Sequence, residues 1–370
     1  MAVSQAPRPV PSPAMRILLL LRDLSPNGVT TYNRMLAQEL RQQGHEVLVW
    51  PSLGEFTQRN WRCWLLHPAL SHLIAQGLAR LRPDVIYVNT YTLARVAHAV
   101  HDRLGIPWFA CMHNGHSDKR MAQWARLFGN AQGLVTMCES LHDKYQQLVD
   151  RDTAPDAAGR KPAVLLSRLP IAMPALAQRP AQAPLTLTYC SRISGQKGPR
   201  CEAWLRAIAL LPDAGQYRVM VVGGGSYLKQ LAQVAAELSL TVEFTGMVPD
   251  TDPYLRRTDV LTGAGYALSE GLVRGCVGVG LGFGGCVGAV TPERLEAALA
   301  VNFGDHCPHP LPEDPGSIAA ALQEAIALCG TPGARTVTER CRSHFEPRGI
   351  AQELVQFWER SLPAPTTARR

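Results

Sequence analysis

Four short segments of this sequence contain glycine and follow an apolar run, and three of them also carry cationic, imidazole or carboxylate side chains. They span residues 27–29, 112–116, 191–198 and 263–271. In open α/β sheets, ligands bind outside the carboxyl ends of the strands, so turns that follow strands are where binding groups are expected. The type and spacing of the residues in these turns therefore indicate the chemistry.

Gly28 stands between the first apolar run and an amphipathic segment. The first amides of a helix that begins there have no intrahelical partner, and the positive end of the helix dipole favours an anion beside them. A glycine would let a phosphate or a sugar approach the backbone. A glycine needed only for a tight turn remains the alternative.

His113 follows the apolar run at 107–112, so its imidazole is expected at the edge of a sheet. Histidine is the side chain that is most easily held on either side of neutrality. It suits a hydrogen bond to a substrate hydroxyl or a proton relay. A purely structural histidine at the end of a strand is the alternative.

Arg192 and Lys197 lie five positions apart in a turn of small residues. Two cations on one loop, followed by a helix, could hold a diphosphate through charge and through backbone amides. A solvated basic turn is the alternative.

Gly265 and Tyr266 mark the crossing from a strand to a helix, where free amides could bind phosphate. Glu270 stands one turn further, which would bring a carboxylate to the ribose hydroxyls of a nucleotide. An unpaired buried glutamate without a function is uncommon.

Two series of alternating strands and helices must position these turns. Apolar runs predict strands at 15–21, 46–50, 84–89, 107–112 and 133–138, and then at 185–190, 217–222, 242–246 and 260–263. Helical spacing of apolar residues predicts helices at 29–43, 94–103, 199–211, 226–238 and 266–274. Two such series predict two Rossmann-like α/β domains that face a cleft, and the Ala, Pro and Arg content of 151–184 indicates the boundary between them.

Composition agrees with a globular α/β protein. The chain has 370 residues, of which 46% are hydrophobic and 18% charged, and this balance excludes a disordered polyampholyte, a collagen and a coiled coil. Its apolar stretches are too short to span a bilayer. The ten cysteines are scattered singly without the spacing of a zinc site, which indicates reduced thiols in a cytoplasmic protein.

The net charge of +7 is concentrated in one half of the chain. Residues 15–180 hold 19 Lys and Arg against 12 Asp and Glu, whereas residues 181–370 hold 17 against 18. A basic half suits a partner with phosphates or an anionic membrane surface. Basic segments with tryptophan at 60–64 and 119–126 favour the membrane surface, although tryptophan at helical spacing is more often part of a core.

The motifs together identify a family. From Met15 to about Ser361 the sequence resembles the family 4 glycosyltransferases of the GT-B fold. The resemblance is carried by MRILLLLRDLSPNGVTTYNRMLAQELRQQGHEV, IPWFACMHNG, SRISGQKG, VVGGGSYLKQL, EFTGMVPDTDPYLRRTDV, the helix that contains Glu270, and the final helix IAQELVQFWERSL.

The resemblance implies transfer of a sugar from a nucleotide diphosphate, of the UDP or GDP type, with retention at the anomeric carbon and without a metal or another cofactor. By position, Gly28 would lie against the donor and His113 would face the transferred sugar. Arg192 and Lys197 would neutralise the diphosphate, and Glu270 would bind the ribose.

Composition and the resemblance together predict the division of the chain. A disordered leader is expected at 1–14, an acceptor domain at 15–180, a donor domain at 181–348, and a helix that crosses back to the first domain, with a tail, at 349–370. The acceptor would be a glycan or a lipid-linked molecule of the cell envelope, reached by a cytoplasmic enzyme at the inner face of the membrane.

Two departures from the family pattern concern the donor sugar. The family has two glutamates eight positions apart, and Thr262 stands eight positions before Glu270. The following segment, 276–293, is rich in glycine where the family has a Pro-Val strand. We expect a changed contact to the sugar, which leaves the identity of the donor open.

Three alternatives to this enzyme differ in how well the sequence supports them. A catalytically silent nucleotide-sugar-binding or scaffold protein stays open. A nicotinamide dehydrogenase lacks support because no Gly-x-Gly-x-x-Gly follows the first strand. A nucleic-acid partner is not expected because no recognisable binding module is present.

Overall fold

The computed structural model describes residues 14–22, 24, 27–50, 77–78, 80–156, 159–176 and 184–362. The predicted leader and the aromatic segment at 60–64 therefore lie outside the described residues, except for residue 14. Within these ranges the chain forms two α/β units.

The first unit is built on a six-stranded parallel sheet. Its strands run in the order β2-β1-β3-β4-β5-β6. They are β1 (Arg16–Leu20), β2 (Glu46–Trp50), β3 (Val85–Val88), β4 (Trp108–Met112), β5 (Gly133–Thr136) and β6 (Ala163–Leu166). The helices between them are α1 (Gly28–Gln42), α2 (Tyr91–Leu104), α3 (Asp118–Phe128) and α4 (Glu139–Asp152).

The second unit repeats this plan with one antiparallel edge. Its sheet has the order β12-β11-β10-β7-β8-β9, and β11 and β12 run antiparallel. The strands are β7 (Thr186–Cys190), β8 (Arg218–Val222), β9 (Val242–Gly246), β10 (Val260–Gly263), β11 (Val277–Leu281) and β12 (Cys286–Ala289). The helices are α5 (Lys197–Ala209), α6 (Leu228–Glu237), α7 (Asp252–Leu255), α8 (Gly265–Leu272), α9 (Leu295–Ala300), α10 (Pro315–Leu328), α11 (Pro332–His344) and α12 (Pro347–Ser361).

The central strands are buried and mostly apolar because helices cover both faces of each sheet. All residues of β3, β4 and β7 are buried. Buried strands of parallel sheets are predicted from sequence by such short hydrophobic runs. The predicted strands match the observed ones to within two residues. The predicted α/β class is confirmed.

The order of strands reverses once in each sheet. In the first sheet the reversal lies between β1 and β3, and in the second it lies between β7 and β10. Connections leave these strands toward opposite faces, so a crevice opens at their carboxyl ends. The turns that carry Gly28, Arg192 and Gly265 all follow strands at these two reversal points.

The last helix, α12, packs in the core of the first unit. Trp358 is completely buried and meets Tyr87 of β3 edge to face, with ring centroids 5.2 Å apart. Phe357 meets Phe109 of β4 at 5.5 Å. The final helix therefore returns to the first unit, as the resemblance predicts.

Among the described helices, none combines the length and the apolar character needed to cross a bilayer. The basic segment at 119–126 lies on α3, where Trp124 is buried and stacks on Tyr91 with centroids 4.6 Å apart. Lys119, Arg120 and Arg126 are exposed on the same helix. The tryptophan of this segment thus belongs to the core, and only its cations reach the surface.

Candidate functional site

The carboxyl edges of the two sheets meet directly. The Tyr266 hydroxyl on α8 donates to the carbonyl of Pro170 at 2.9 Å, and the Ser140 hydroxyl on α4 donates to the carbonyl of His306 at 2.9 Å. A Cβ built on Gly28 would lie 3.5 Å from the Cβ of Tyr266. The predicted segments at 27–29 and 263–271 therefore lie on one interface.

Gly28 is the first residue of α1, and Asn27 caps this helix. The Asn27 Oδ1 accepts from the amides of Val29 at 2.9 Å and Thr30 at 3.1 Å. These two amides are consequently not available to an anion. Gly28 itself is exposed, and its backbone can be approached closely. The sequence predicts an anion site at this helix; within the described residues, the cap confines it to the Gly28 amide.

His113 follows β4 and heads a chain of polar side chains. Its Nε2 lies 2.8 Å from the Oδ1 of Asn89, whose Nδ2 donates to the Oδ1 of Asn33 at 2.9 Å. The Nδ2 of Asn33 in turn donates to the carbonyl of Val29 at 2.8 Å. This chain connects β4, the end of β3 and the first turns of α1.

The polar chain fixes the tautomer of His113. A carbonyl oxygen can only accept, so Asn33 must donate to Val29 through its amide nitrogen and accept through its oxygen. Asn89 is then oriented in the same sense and presents its oxygen to His113. The imidazole therefore carries its proton on Nε2 and has a lone pair on Nδ1.

Burial, together with the neighbouring His306, lowers the pKa of His113 from 6.5 to about 3. His113 is thus neutral at physiological pH, and Nδ1 can accept a hydrogen bond. The ring of Tyr32 meets the imidazole edge to face, with centroids 5.1 Å apart. Of the two functions predicted for His113, this environment favours the hydrogen bond to a hydroxyl over the proton relay.

Arg192 and Lys197 lie on the turn between β7 and α5. Arg192 is exposed and makes no hydrogen bond or ion pair with any residue that the structure describes. Lys197 is the first residue of α5, and its Nζ lies 3.7 Å from the Oδ1 of Asp305. The turn thus offers one cation without a protein partner and one cation with a single carboxylate nearby.

Glycines after β8 hold this turn in place. The amide of Ile193 donates to the carbonyl of Gly224 at 2.9 Å, and the amide of Tyr227 donates to the carbonyl of Ile193 at 3.1 Å. A Cβ on Gly225 would overlap the carbonyl of Ile193. The Gly-Gly-Gly motif therefore lets two turns approach closely.

Gly265 begins α8 in the left-handed region, with a φ of 54°. Ala264 at the N-cap has no side chain that could accept from the first amides of this helix. A Cβ on Gly265 would lie 2.6 Å from the Oδ2 of Asp305. Because the Tyr266 hydroxyl bonds to Pro170, the side chain of Tyr266 connects the two units, and only its backbone remains for a donor.

Glu270 lies one turn into α8. Its Oε2 accepts from the hydroxyl of Thr251 at 3.1 Å, and burial raises the pKa of its carboxyl although the guanidinium of Arg274 opposes this shift. The Nε of Arg274 donates to Asp252 at 2.9 Å. The hydroxyl of Thr251 therefore fixes one oxygen of the Glu270 carboxylate, and the other oxygen can accept from hydroxyl groups.

Thr262 lies inside β10 and not in a turn. Its side chain is completely buried, and its hydroxyl has no hydrogen-bond partner within the described residues. The first glutamate of the family pattern is thus replaced here by a buried threonine in the strand that leads to α8. The changed contact to the sugar stays a prediction.

Four residues of the site escaped the sequence analysis. Asn89 is the last residue of the predicted strand at 84–89, and a polar residue at a carboxyl end is a signal that could have identified it. Asn33, Asp305 and His306 have no such signal: Asn33 lies within a helix, and the other two lie in a turn far along the chain. Within the described residues, no group of three or more His, Cys, Asp or Glu side chains could hold a metal ion.

Comparisons with known proteins concern the family and the fold. Residues 27–155 match the family model described as a glycosyl transferase 4-like domain. A search of the curated proteins finds no significant match. The family match confirms the predicted resemblance over these residues.

Solved structures extend the likeness to nearly the whole chain. HepE from Anabaena, in complex with UDP-glucose, is 17% identical with a TM-score of 0.68, over 94% of this chain and 100% of that one. Sucrose-phosphate synthase from Thermosynechococcus elongatus is 18% identical with a TM-score of 0.68, over 93% and 98%. The lipopolysaccharide outer core galactosyltransferase WaaB is 12% identical with a TM-score of 0.59, over 94% and 100%. These likenesses confirm the GT-B fold.

Proposed function

We propose that this chain, with its glycosyl transferase 4-like domain and GT-B fold, is a retaining glycosyltransferase that takes a sugar from a nucleotide diphosphate. The proposal is supported by four groups that follow strands at the carboxyl edges of the two sheets. These groups are the unpartnered Arg192, Lys197, the uncapped first turn of α8 and the neutral His113.

The donor is held through its diphosphate. Arg192 and Lys197 supply positive charge, and the amides of Gly265 and Tyr266 supply hydrogen-bond donors at the positive end of the α8 dipole. Glu270 accepts from the ribose hydroxyls. The complexes of HepE with UDP and with UDP-glucose support a donor of this type.

Transfer breaks the bond between the anomeric carbon and the phosphate oxygen and forms a bond to an acceptor hydroxyl. Charge develops on the departing diphosphate, and each preorganised donor or cation directed at such charge lowers the barrier by about 3 kcal/mol. His113 is a weak base because its pKa is about 3. The proton of the acceptor therefore goes to a diphosphate oxygen, while His113 orients the sugar through Nδ1.

The acceptor is a glycan or lipid-linked molecule of the cell envelope, and the enzyme works in the cytoplasm at the inner face of the membrane. The basic first half of the chain and the exposed cations of α3 support an anionic surface as partner. The activity of WaaB, a neighbour of the same fold, fits an acceptor of this class.

Ligand-dependent thermal unfolding tests the donor site. UDP, GDP, ADP and their common sugar conjugates are added separately, because a ligand that binds only the folded state stabilises it by about 2.7 kcal/mol at 100 times its Kd. One nucleoside diphosphate and its conjugates should raise the Tm.

The shift should be lost in Arg192→Ala and retained in Arg218→Ala, whose exposed arginine lies at the opposite end of the same sheet. No shift with any compound would contradict the proposal. Binding without turnover would identify a silent nucleotide-sugar-binding protein instead.

A further inference from the structure

The segment 302–306 reaches the candidate site although the sequence gives no sign of it. Asn302 and Phe303 both adopt left-handed backbone conformations, with φ of 50° and 56°. Two consecutive residues other than glycine in this region are strained, and such strain is concentrated at functional sites. Asn302 and Phe303 are buried, so the surrounding structure holds the strained turn in place.

The glycine-rich stretch between β11 and β12 makes room for this turn. A Cβ on Gly282 would overlap the amide of Asp305, and a Cβ on Gly284 would lie 2.7 Å from the amide of Cys307. The amide of Phe283 donates to the Oδ1 of Asp305 at 2.9 Å. The unusual composition of this stretch therefore has a structural consequence, which is the placement of the Asp305 carboxylate.

Asp305 lies between the groups proposed to hold the diphosphate. Its Oδ1 is 3.7 Å from the Nζ of Lys197, and its Oδ2 lies against Gly265 at the start of α8. The side-chain nitrogen Nδ2 of Asn302 also faces Gly265, 3.3 Å from a Cβ built there. A carboxylate in this position repels phosphate, but it is a strong acceptor for hydroxyl groups.

We propose that Asp305 is the residue that recognises the hydroxyl groups of the transferred sugar. This inference rests on the proposed function. In a nucleotide sugar, one oxygen joins the anomeric carbon to the phosphate. A phosphate bound beside Lys197 therefore brings the sugar close to Asp305, the carboxylate adjacent to the same lysine. Asp305 thus selects donors that carry a hydroxyl at the matching position, and Asn302 supports it from the same turn.

The test compares the affinity for a nucleotide sugar with the affinity for the nucleoside diphosphate alone. UDP-glucose, UDP-galactose, UDP-N-acetylglucosamine and GDP-mannose are titrated into the full chain by calorimetry, together with UDP and GDP. The variant is Asp305→Asn, which keeps an acceptor for the amide of Phe283. The control is Asp314→Asn, because asparagine also serves at the N-cap of α10.

In Asp305→Asn, the affinity for the bound nucleotide sugar should fall at least tenfold, while the affinity for the matching nucleoside diphosphate should be unchanged or higher. The control variant should match the wild type in both. An equal change for sugar and nucleoside diphosphate, or no change in either, would overturn the assignment of Asp305 while leaving the proposed function intact. Absence of nucleotide binding in the wild type would overturn the proposed function, and this inference with it.

Discussion

At the scale of single residues, the chain from Val29 through Asn33 and Asn89 to His113 sets the chemistry of the site. Asn33 and Asn89 each have one donor and one acceptor already assigned, so the tautomer of His113 follows from the carbonyl of Val29, three hydrogen bonds away. A half-satisfied network of this kind would be less stable than an apolar one. The imidazole is consequently presented in one tautomer.

Substitution of Asn89 should remove the hydrogen bond that fixes the tautomer of His113. Asn89→Ala leaves the Nε2 proton and the Asn33 oxygen without partners in a buried setting, which costs about 1–3 kcal/mol of stability. Chemical denaturation measures this loss, and the nitrogen chemical shifts of the histidines report the tautomer. Asn114→Ala, an exposed neighbour, is the control. An unchanged tautomer in Asn89→Ala would contradict the polar chain.

Stability should fall as the solution becomes acidic. The pKa of His113 is lowered to about 3 and that of His344 to about 4, mainly by burial. Below pH 6.5 these two side chains become protonated in the unfolded chain but stay neutral in the folded protein. Unfolding is therefore favoured as the pH drops. Each group contributes up to about 1.4 kcal/mol per pH unit until its folded pKa is reached.

The free energy of unfolding, measured between pH 7 and pH 4, should therefore decrease, and the slope should be smaller in His344→Gln. An identical slope in wild type and variant would show that His344 is protonated in the folded protein.

At the scale of elements, turns supply the binding groups and glycines determine how closely the turns approach. The turn that carries Arg192 rests on the Gly-Gly-Gly turn after β8, through two backbone hydrogen bonds. The turn that carries Asp305 rests on the glycine-rich stretch after β11. In both cases a glycine of the second sheet allows backbone to lie against backbone.

Gly225→Ala should displace the Arg192 turn because the added methyl overlaps the carbonyl of Ile193. We expect a loss of about 1–3 kcal/mol in the free energy of unfolding, as for other overpacked positions, and a weaker Tm shift with nucleoside diphosphates. Gly215→Ala is the matched control, since nothing lies within 4 Å of a Cβ there. Equal stability of the two variants would contradict the close approach.

The predictability of elements follows from their burial. Strands such as β3 and β4 were predicted because every residue in them is apolar, and helices such as α1 were predicted because one face is apolar. Thr262 lies in the strand that the apolar run at 260–263 predicts, but its burial within the sheet is a tertiary property that the sequence does not show. Asp305 and His306 could not be predicted, since their turn has no periodicity and is held by tertiary packing alone.

At the scale of the whole molecule, the two units are joined by α12 and by contacts along the crevice. Trp358 and Phe357 bury themselves in the first unit, while Tyr266 and Ser140 form hydrogen bonds between the units. The excess of Lys and Arg lies in the first half of the chain. The two halves of the chain therefore differ in charge.

This asymmetry predicts binding to anionic membranes. The protein should sediment with vesicles that contain phosphatidylglycerol at low salt, and binding should be lost near 0.5 M salt because the Debye length then falls to about 4 Å. Vesicles of phosphatidylcholine alone are the control. Failure to sediment with the anionic vesicles at low salt would contradict peripheral membrane association.

Turnover of an isotopically labelled donor tests the central claim most directly. UDP and GDP sugars labelled in the sugar are incubated with the wild type, Arg192→Ala and Arg218→Ala, and release of labelled sugar is followed. We predict that the wild type and Arg218→Ala release sugar from at least one donor, and that Arg192→Ala is slower by about 100-fold. Binding of a donor without release of sugar, or equal rates in all three proteins, would contradict a glycosyltransferase that uses this site.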